Sequence, residues 1–450
     1  MSNFFKPFNA VSKAEWEAQL IADLKGKDPS VLKTKDALEE IEFSSYAHQE
    51  DITSTPETAG NFPYTRGMNA TNNEWKNSAR IIMNDDKTAN KDALEALNLG
   101  ADMLIFQQSN SSINWNSVLK EIKLEFIETH FSVFSMDAFE QLYAIQSKNS
   151  FQMDIQFDFL AVENDEINIE KIAPYYSTKQ ARFCEVNGFA VQQAGATTWQ
   201  EIAFCLSTGH EYISKLMTAG FSIDQAAACI NFTIGVGANY FYEIAKIRSL
   251  KRLWSKVISA YEPQHACSYN CNINAQIGHS NKSILDPHTN LLRQTTEAMS
   301  AVTSGVHSMT ILPHDMYSSD GTSVLAQRMA INISTILQEE SYLAKVIDPL
   351  GGSYSIELLT NQVAEKSWGL FQELDEKGGI INKATREGLF QAIRSKSAQR
   401  IEAFTSGKTV GVGINKFKPI TEANVTWKLP ENYLGLPILL LENELTSQSV

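Results

Sequence analysis

Asn187-Gly188-Phe189-Ala190-Val191-Gln192-Gln193-Ala194-Gly195-Ala196-Thr197 lies between two segments of different periodicity. Before it, Ala181-Arg182-Phe183-Cys184-Glu185-Val186 reads as a strand; after it, Ile202, Leu206, Ile213 and Leu216 keep helical spacing between Trp199 and Met217. The stretch is therefore a strand-to-helix turn. Gly188 and Gly195 let the backbone bend sharply, and turns at the C-terminal ends of parallel strands are where α/β enzymes place their chemistry. Yet the side chains of Phe189, Ala190 and Val191 can neither donate, accept nor titrate.

Outward from this turn, apolar runs alternate with helical patterns. Strands are expected at Ala79 to Met83, Ala101 to Gln107, Ile122 to Ile127, Phe151 to Val162, Ala181 to Val186, Cys229 to Gly235, Ala266 to Ala275 and Val306 to Leu312. Asp92 to Leu99, Trp115 to Leu119, Met136 to Tyr143 and Ala238 to Tyr261 supply helices between several of them. Eight strands with intervening helices make an α/β chain whose simplest architecture is a (β/α)8 TIM-type barrel. Residues 1–62 read as an N-terminal helical and extended arm, 63–405 as the barrel with its C-terminal helices, and 406–450 as an extended tail. Ser12-Lys13-Ala14-Glu15 followed by Trp16, Leu20, Ile21 and Leu24 is a capping box opening an amphipathic helix.

The chain has 450 residues and 52 acidic against 38 basic side chains, a formal net charge of −14. That balance disfavours nucleic acid and anionic membranes as partners. No apolar run is long enough to span a bilayer and the N-terminus lacks a secretory pattern, so a cytoplasmic chain is expected. Cys184, Cys205, Cys229, Cys267 and Cys271 lack zinc spacing and read as buried free thiols. Gly235-Val236-Gly237 is too short a pattern for a phosphate loop and reads as a tight turn. His265, His279, His307 and His314 are scattered over barrel segments and read as hydrogen-bonded structural histidines. No metal site is expected.

Several colinear segments carry a resemblance: Pro63-Tyr64-Thr65-Arg66-Gly67; Ile234 through Arg248 to Leu253-Trp254; Asn290 to Met299; Ile336 to Ser341; and Asp348-Pro349-Leu350-Gly351-Gly352-Ser353-Tyr354. Together with the opening turn they resemble the methylmalonyl-CoA mutase family, most closely the small, non-catalytic subunit of its heterodimeric form. The resemblance implies a reaction that interconverts methylmalonyl-CoA and succinyl-CoA by radicals generated from adenosylcobalamin. It places the family's catalytic Tyr-His pair at Phe189 and Ala190, and a further tyrosine at Asn73. Where catalytic chains set polar residues facing coenzyme A, this chain has Thr310-Ile311-Leu312. Asp286-Pro287-His288 begins like the family's cobalt-ligand motif, but Leu291 stands at its glycine position.

The resemblance implies, then, that this chain holds no catalytic residue and no cofactor. The expected partner is a catalytic large subunit that carries adenosylcobalamin, and no flavodoxin-like cobalamin domain is expected here. In that family the N-terminal arm wraps onto the partner; packing of the arm on its own barrel is the alternative. Two other functions remain open: an autonomous acyl-CoA mutase barrel served by a separate cobalamin-binding protein, and a regulatory binding scaffold.

Overall fold

The computed structural model describes residues 11–52, 57–109, 113–149, 151, 153–162, 167–176, 181–319, 321–419, 426–428 and 432–447. Helix α1 (Lys13–Asp23) opens on the expected box: the Ser12 hydroxyl accepts from Glu15 N, and the Glu15 carboxylate accepts from Ser12 N at 2.9 Å. An antiparallel hairpin follows, β1 (Lys33–Asp36) with β2 (Ile41–Ser44). Then come eight parallel strands: β3 (Lys76–Met83), β4 (Met103–Gln108), β5 (Glu128–Ser132), β6 (Asp154–Gln156), β7 (Cys184–Asn187), β8 (Ile230–Val236), β9 (Ile273–Ile277) and β10 (Ser308–Thr310). Their connections carry α2 (Asp86–Asn98), α3 (Trp115–Val118), α4 (Met136–Ser147), α5 (Ile169–Ile172), α6 (Gly188–Gln193), α7 (Thr198–Thr218), α8 (Ile223–Ala228), α9 (Tyr240–Ser259) and α10 (Thr289–Thr303). After β10 come α11 (Val324–Thr335), α12 (Tyr354–Glu376), α13 (Lys383–Thr405) and α14 (Leu441–Ser447).

The strand order β6-β5-β4-β3-β10-β9-β8-β7 leaves β6 and β7 as the two ends, and a parallel bridge between Phe157 and Cys184 joins them. The expected TIM-type barrel is what forms. Its strands alternate, and most of their polar side chains point inward. Outward-facing Phe106 stacks on Phe131 at 5.1 Å, and Phe232 meets Trp254 of α9 at 4.9 Å. Inside the ring, Ser78 bonds Thr310 at 2.7 Å, and Ser308 donates to Asn274 at 2.8 Å. Asn274 donates in turn to Asn231 at 3.1 Å, and Asn231 to Gln156 at 3.3 Å. His130 faces Asp154 at 3.0 Å, and Arg182 also binds Asp154, at 2.8 Å. The bore is thus a hydrogen-bonded polar ladder, while the apolar core lies between the strands and the helices.

Three of the segments that carry the resemblance meet in one buried knot through Arg66, Arg248 and Asp348. Arg248, fully buried in α9, binds Asp348 through Nη1, Glu357 through Nη2 at 2.6 Å and Thr360 through Nε at 3.3 Å. Arg66 reaches the same Asp348 oxygen at 3.0 Å. A Cβ at Gly351 would stand 2.6 Å from Asp348 Oδ2, so only glycine fits that turn. The knot ties the segment before β3 to α9 and α12, which is a structural role.

Four expectations need correction. β5 starts at Glu128, and the region read as a strand, Ile122 to Ile127, instead contains a 3-10 turn at Leu124–Phe126. β9 starts at Ile273, because Ala266–Tyr269 is another 3-10 turn. That turn exposes Cys267, so the buried free thiols are Cys184, Cys205, Cys229 and Cys271. The tail is partly helical, ending in α14. The hairpin of the N-terminal arm packs on its own barrel: Glu39 accepts from Thr198 N at 3.0 Å, and Glu40 binds Lys396 at 2.6 Å. Helix α1, by contrast, buries no residue, and Trp16 touches only Tyr46 among the described aromatic rings, at 4.2 Å.

Candidate functional site

The C-terminal ends of the strands form the mouth where the opening turn lies. Asn187 ends β7 and caps α6, its side chain accepting from Ala190 N at 3.1 Å. A Cβ at Gly188 would come 2.5 Å from Cys205 Sγ and 3.3 Å from Thr233 O, so the turn can be this tight only with glycine. At the other end Gly195, with φ +95°, releases the chain into α7. The single helical turn between them carries Phe189 and Ala190 over the mouth.

Phe189 meets His279 edge-on at 5.3 Å, and the Arg80 guanidinium stands 5.9 Å from the Phe189 ring. Arg80 comes from β3 and donates to Gln107 of β4. Among the described residues no carboxylate lies within 4.0 Å of it. The Gln193 side chain accepts from His279 N at 2.8 Å, and the His279 Nε2 atom pairs with the Tyr317 hydroxyl at 2.6 Å. Burial, reinforced by Arg80 and Lys282, holds the His279 imidazole far below its ordinary range, so it is neutral. Burial also raises the Tyr317 phenol.

Deeper in the mouth, Glu185 accepts from Ser132 and Thr233, both at 3.1 Å. Asp158, just past the end of β6, is pushed up to about 7 by burial and by Glu185. Tyr433 from the tail donates to it at 2.7 Å. The same tail continues past α6, where Leu439 N donates to Gln193 O at 2.8 Å. It then reaches the loop after β9, where Leu441 N donates to Ser280 O at 3.0 Å. Leu436, Leu439 and Leu440 are buried along the way.

A cleft of about 570 Å³ lies beside the mouth, lined partly by Glu201, Glu243, Lys246, Arg293 and Arg400. Lys246 is buried against Glu201 at 2.8 Å and Glu243 at 2.5 Å, and Glu201 also accepts from Gly235 N at 2.8 Å. That bond takes up the Gly235 amide; Gly235 and Val236 are the last residues of β8, so the expected tight turn begins only at Gly237. Burial pushes Glu201 up to about 7 even with Lys246 beside it. Glu243 adds to the rise, because two carboxylates and one ammonium leave one negative charge uncompensated.

The structure brings Phe189 and Ala190 together at the mouth but places Asn73 at the opposite end of the barrel, before β3. There Asn73 donates to Val302 O at 2.7 Å and lines a second cleft of about 240 Å³ with Lys251. Thr310 is engaged with Ser78, and Leu312 O accepts from the Gln294 side chain of α10 at 2.7 Å. Arg80 escaped the sequence reading, although an arginine at an inward position of the alternating strand Asn77 to Met83 was the available signal. Among the described residues no cluster of three or more His, Cys, Asp or Glu could hold a metal, and no helix is long and apolar enough to cross a membrane.

A family model described as methylmalonyl-CoA mutase matches residues 160–432. The methylmalonyl-CoA mutase small subunit of Porphyromonas gingivalis is 31% identical over 444 residues, covering 93% of this chain and 71% of the relative. This chain belongs to the methylmalonyl-CoA mutase family. The methylmalonyl-CoA mutase of Escherichia coli is 35% identical over 253 residues, 56% of this chain and 35% of its own length. The human mitochondrial enzyme is 37% identical over 235 residues, 52% and 31%. The chain therefore spans about a third of those longer mutases. Among solved structures, a Xanthomonas albilineans dihydropteroate synthase superposes with a TM-score of 0.36 at 14% identity, over 59% of this chain and 93% of its own, too distant to bear on function.

Proposed function

We propose that this chain is the non-catalytic small subunit of an adenosylcobalamin-dependent methylmalonyl-CoA mutase, and that it stabilises a catalytic large subunit in a heterodimer. The observation that carries this reading is the occupancy of the turn after β7: Phe189 and Ala190 stand where the family resemblance puts Tyr-His. A phenyl ring and a methyl group cannot donate a hydrogen bond to a thioester carbonyl or hold a proton near it. The neutral His279 of the mouth is already committed to Tyr317.

Bound adenosylcobalamin would supply the radical chemistry. The residues at this mouth do not fit it: the His279 imidazole is bonded to Tyr317, and the tail lies over the β6–β7–β9 side of the mouth. In this reading the cofactor sits in the large subunit, and this chain's contribution is an interface.

Affinity purification of the tagged full chain from its native cells, followed by turnover assays, tests the proposal. A stoichiometric cobalamin-containing large subunit, with activity lost when this chain is isolated, is the expected result. An isolated chain that turns over acyl-CoA with a separate cobalamin protein would replace it with the autonomous reading. Phe189→Tyr with Ala190→His should leave the isolated chain inactive, and measurable turnover by that double variant alone would refute the proposal.

A further inference from the structure

The mouth holds two things that the silent-subunit reading does not use. One is accessible space inside the ring: Arg80, Gln107, Ser132, Glu185, Asn187 and Thr233 all keep solvent-accessible surface although they face the bore. Beneath them the amide nitrogens of Gln156 and Gln276, both buried, have no hydrogen-bond partner. Buried amides are otherwise satisfied by protein or water, so unpartnered donors beside accessible surface mark a hydrated chamber.

The other is the way the tail runs along the rim of that chamber, from Asp158 after β6 past Gln193 to Ser280 after β9. Tyr433 and Leu436 close a tight turn on each other, with Tyr433 N donating to Leu436 O at 3.1 Å and Leu436 N to Tyr433 O at 2.7 Å. Between them Leu434, at φ +48°, and Gly435, at φ +81°, are both left-handed, an uncommon conformation for leucine. The turn drives Tyr433 down to Asp158 and buries Leu436 completely. From there to α14 the segment belongs to no strand ladder. Its described backbone bonds to the barrel are those from Leu439 to Gln193 and from Leu441 to Ser280.

We propose that residues 432–441 are an intrasteric strap, which closes this chain's own barrel mouth through Tyr433 and Leu436 and whose release opens the polar chamber to solvent. Closure is then set by the tail, and the bore-lining side chains are ready to be solvated when it lifts. The ten residues are held at a few points: by the Tyr433 hydroxyl on Asp158, the buried Leu436, the amides of Leu439 and Leu441, and Arg394 of α13, which donates to Gly435 O at 3.4 Å. None of these is in a strand ladder, so the strap can detach without disturbing the ladders. This holds whether or not the barrel is catalytically silent.

The test is site-resolved thiol labelling of the full chain. Thr233→Cys places a thiol in the chamber, while the native Cys205, buried between α7 and the strands, reports on loosening of the fold. Labelling with iodoacetamide, read by mass spectrometry, is compared with and without Tyr433→Phe or Leu436→Asp. Removing the Tyr433 hydrogen bond should raise the labelling rate at position 233 by about tenfold, the equivalent of one net intramolecular hydrogen bond. Leu436→Asp should raise it further, and Cys205 should stay protected throughout. Equal rates at position 233 with the strap intact or altered would overturn the proposal, and so would Cys205 becoming reactive in step with it. Tyr433→Phe keeps the ring and its packing, so the test stands even if Leu436→Asp fails to fold.

Discussion

Lys246 shows how single residues bear on this fold. Its side chain is 1% exposed and its ammonium donates to Glu201 and to Gly235 O, so it pins the C-terminal end of β8. Lys246→Met would leave both carboxylates buried without a counter-charge and should cost about 3–5 kcal/mol in urea unfolding. The pH dependence follows from Glu201. Its folded value, about 7, lies above the ordinary carboxylate value of 4.5, so the folded chain holds this proton more tightly than the unfolded chain does. The resulting stabilisation is complete below the ordinary value and is lost as pH rises through about 7. Glu201→Gln should therefore flatten the fall in stability between those pH values. An unchanged slope in unfolding free energy against pH would show that Glu201 is not the group responsible.

At the level of elements, the sequence was most legible where caps and helical spacing spoke together. The Ser12–Glu15 box, the long helices after β7 and β8, and the turn at Asn187 all form where the residues place them. It was least legible at β5. Glu128-Thr129-His130-Phe131-Ser132 looks like a loop because His130 and Ser132 are polar, whereas Ile122 and Leu124 just before it look like a strand because they are buried. A ring with a polar bore inverts the cue: an apolar run marks the packing beneath a strand, and alternation with Ser, Asn or His marks the strand itself. The place of Asn73 was not legible for a related reason, since position along the chain does not say at which end of the barrel a residue lies. The ladder is also testable. Asn231, fully buried, accepts from Asn272 at 2.7 Å and from Asn274, and donates to Gln156. Asn231→Leu strands those partners and should destabilise the chain by about 2–4 kcal/mol in thermal or urea unfolding, in line with the penalty for unsatisfied buried groups.

For the whole molecule, the division into arm, barrel and tail blurs where chain ends pack back. Glu39 and Glu40 of the hairpin lock onto α7 and α13, with Arg400 reaching Glu39 at 3.3 Å, so the hairpin belongs to the barrel. Helix α1 stands apart, with Val11, Trp16 and Ile21 all exposed. Trp16→Ala should shift the unfolding free energy of the isolated chain by no more than about 1 kcal/mol, the scale of one aromatic pair. If α1 is part of the interface of the proposed heterodimer, the same change should sharply reduce recovery of the proposed large subunit in a pull-down. A large loss of stability with unchanged recovery would assign α1 to the fold instead.

The bridge between Phe157 and Cys184 carries a last consequence. Seven of the joints in this ring are strand ladders, but among the described residues the backbones of the β6–β7 seam meet only at Phe157, which donates to Phe183 O and accepts from Glu185 N, both at 2.9 Å, with the Arg182–Asp154 pair beside it. A hoop fastened by one clasp parts there first. Amide deuteration should accordingly invade Phe157 and Glu185 well before the β8–β9 pair, and the molecule should breathe as a split cylinder whose slit runs the length of that seam.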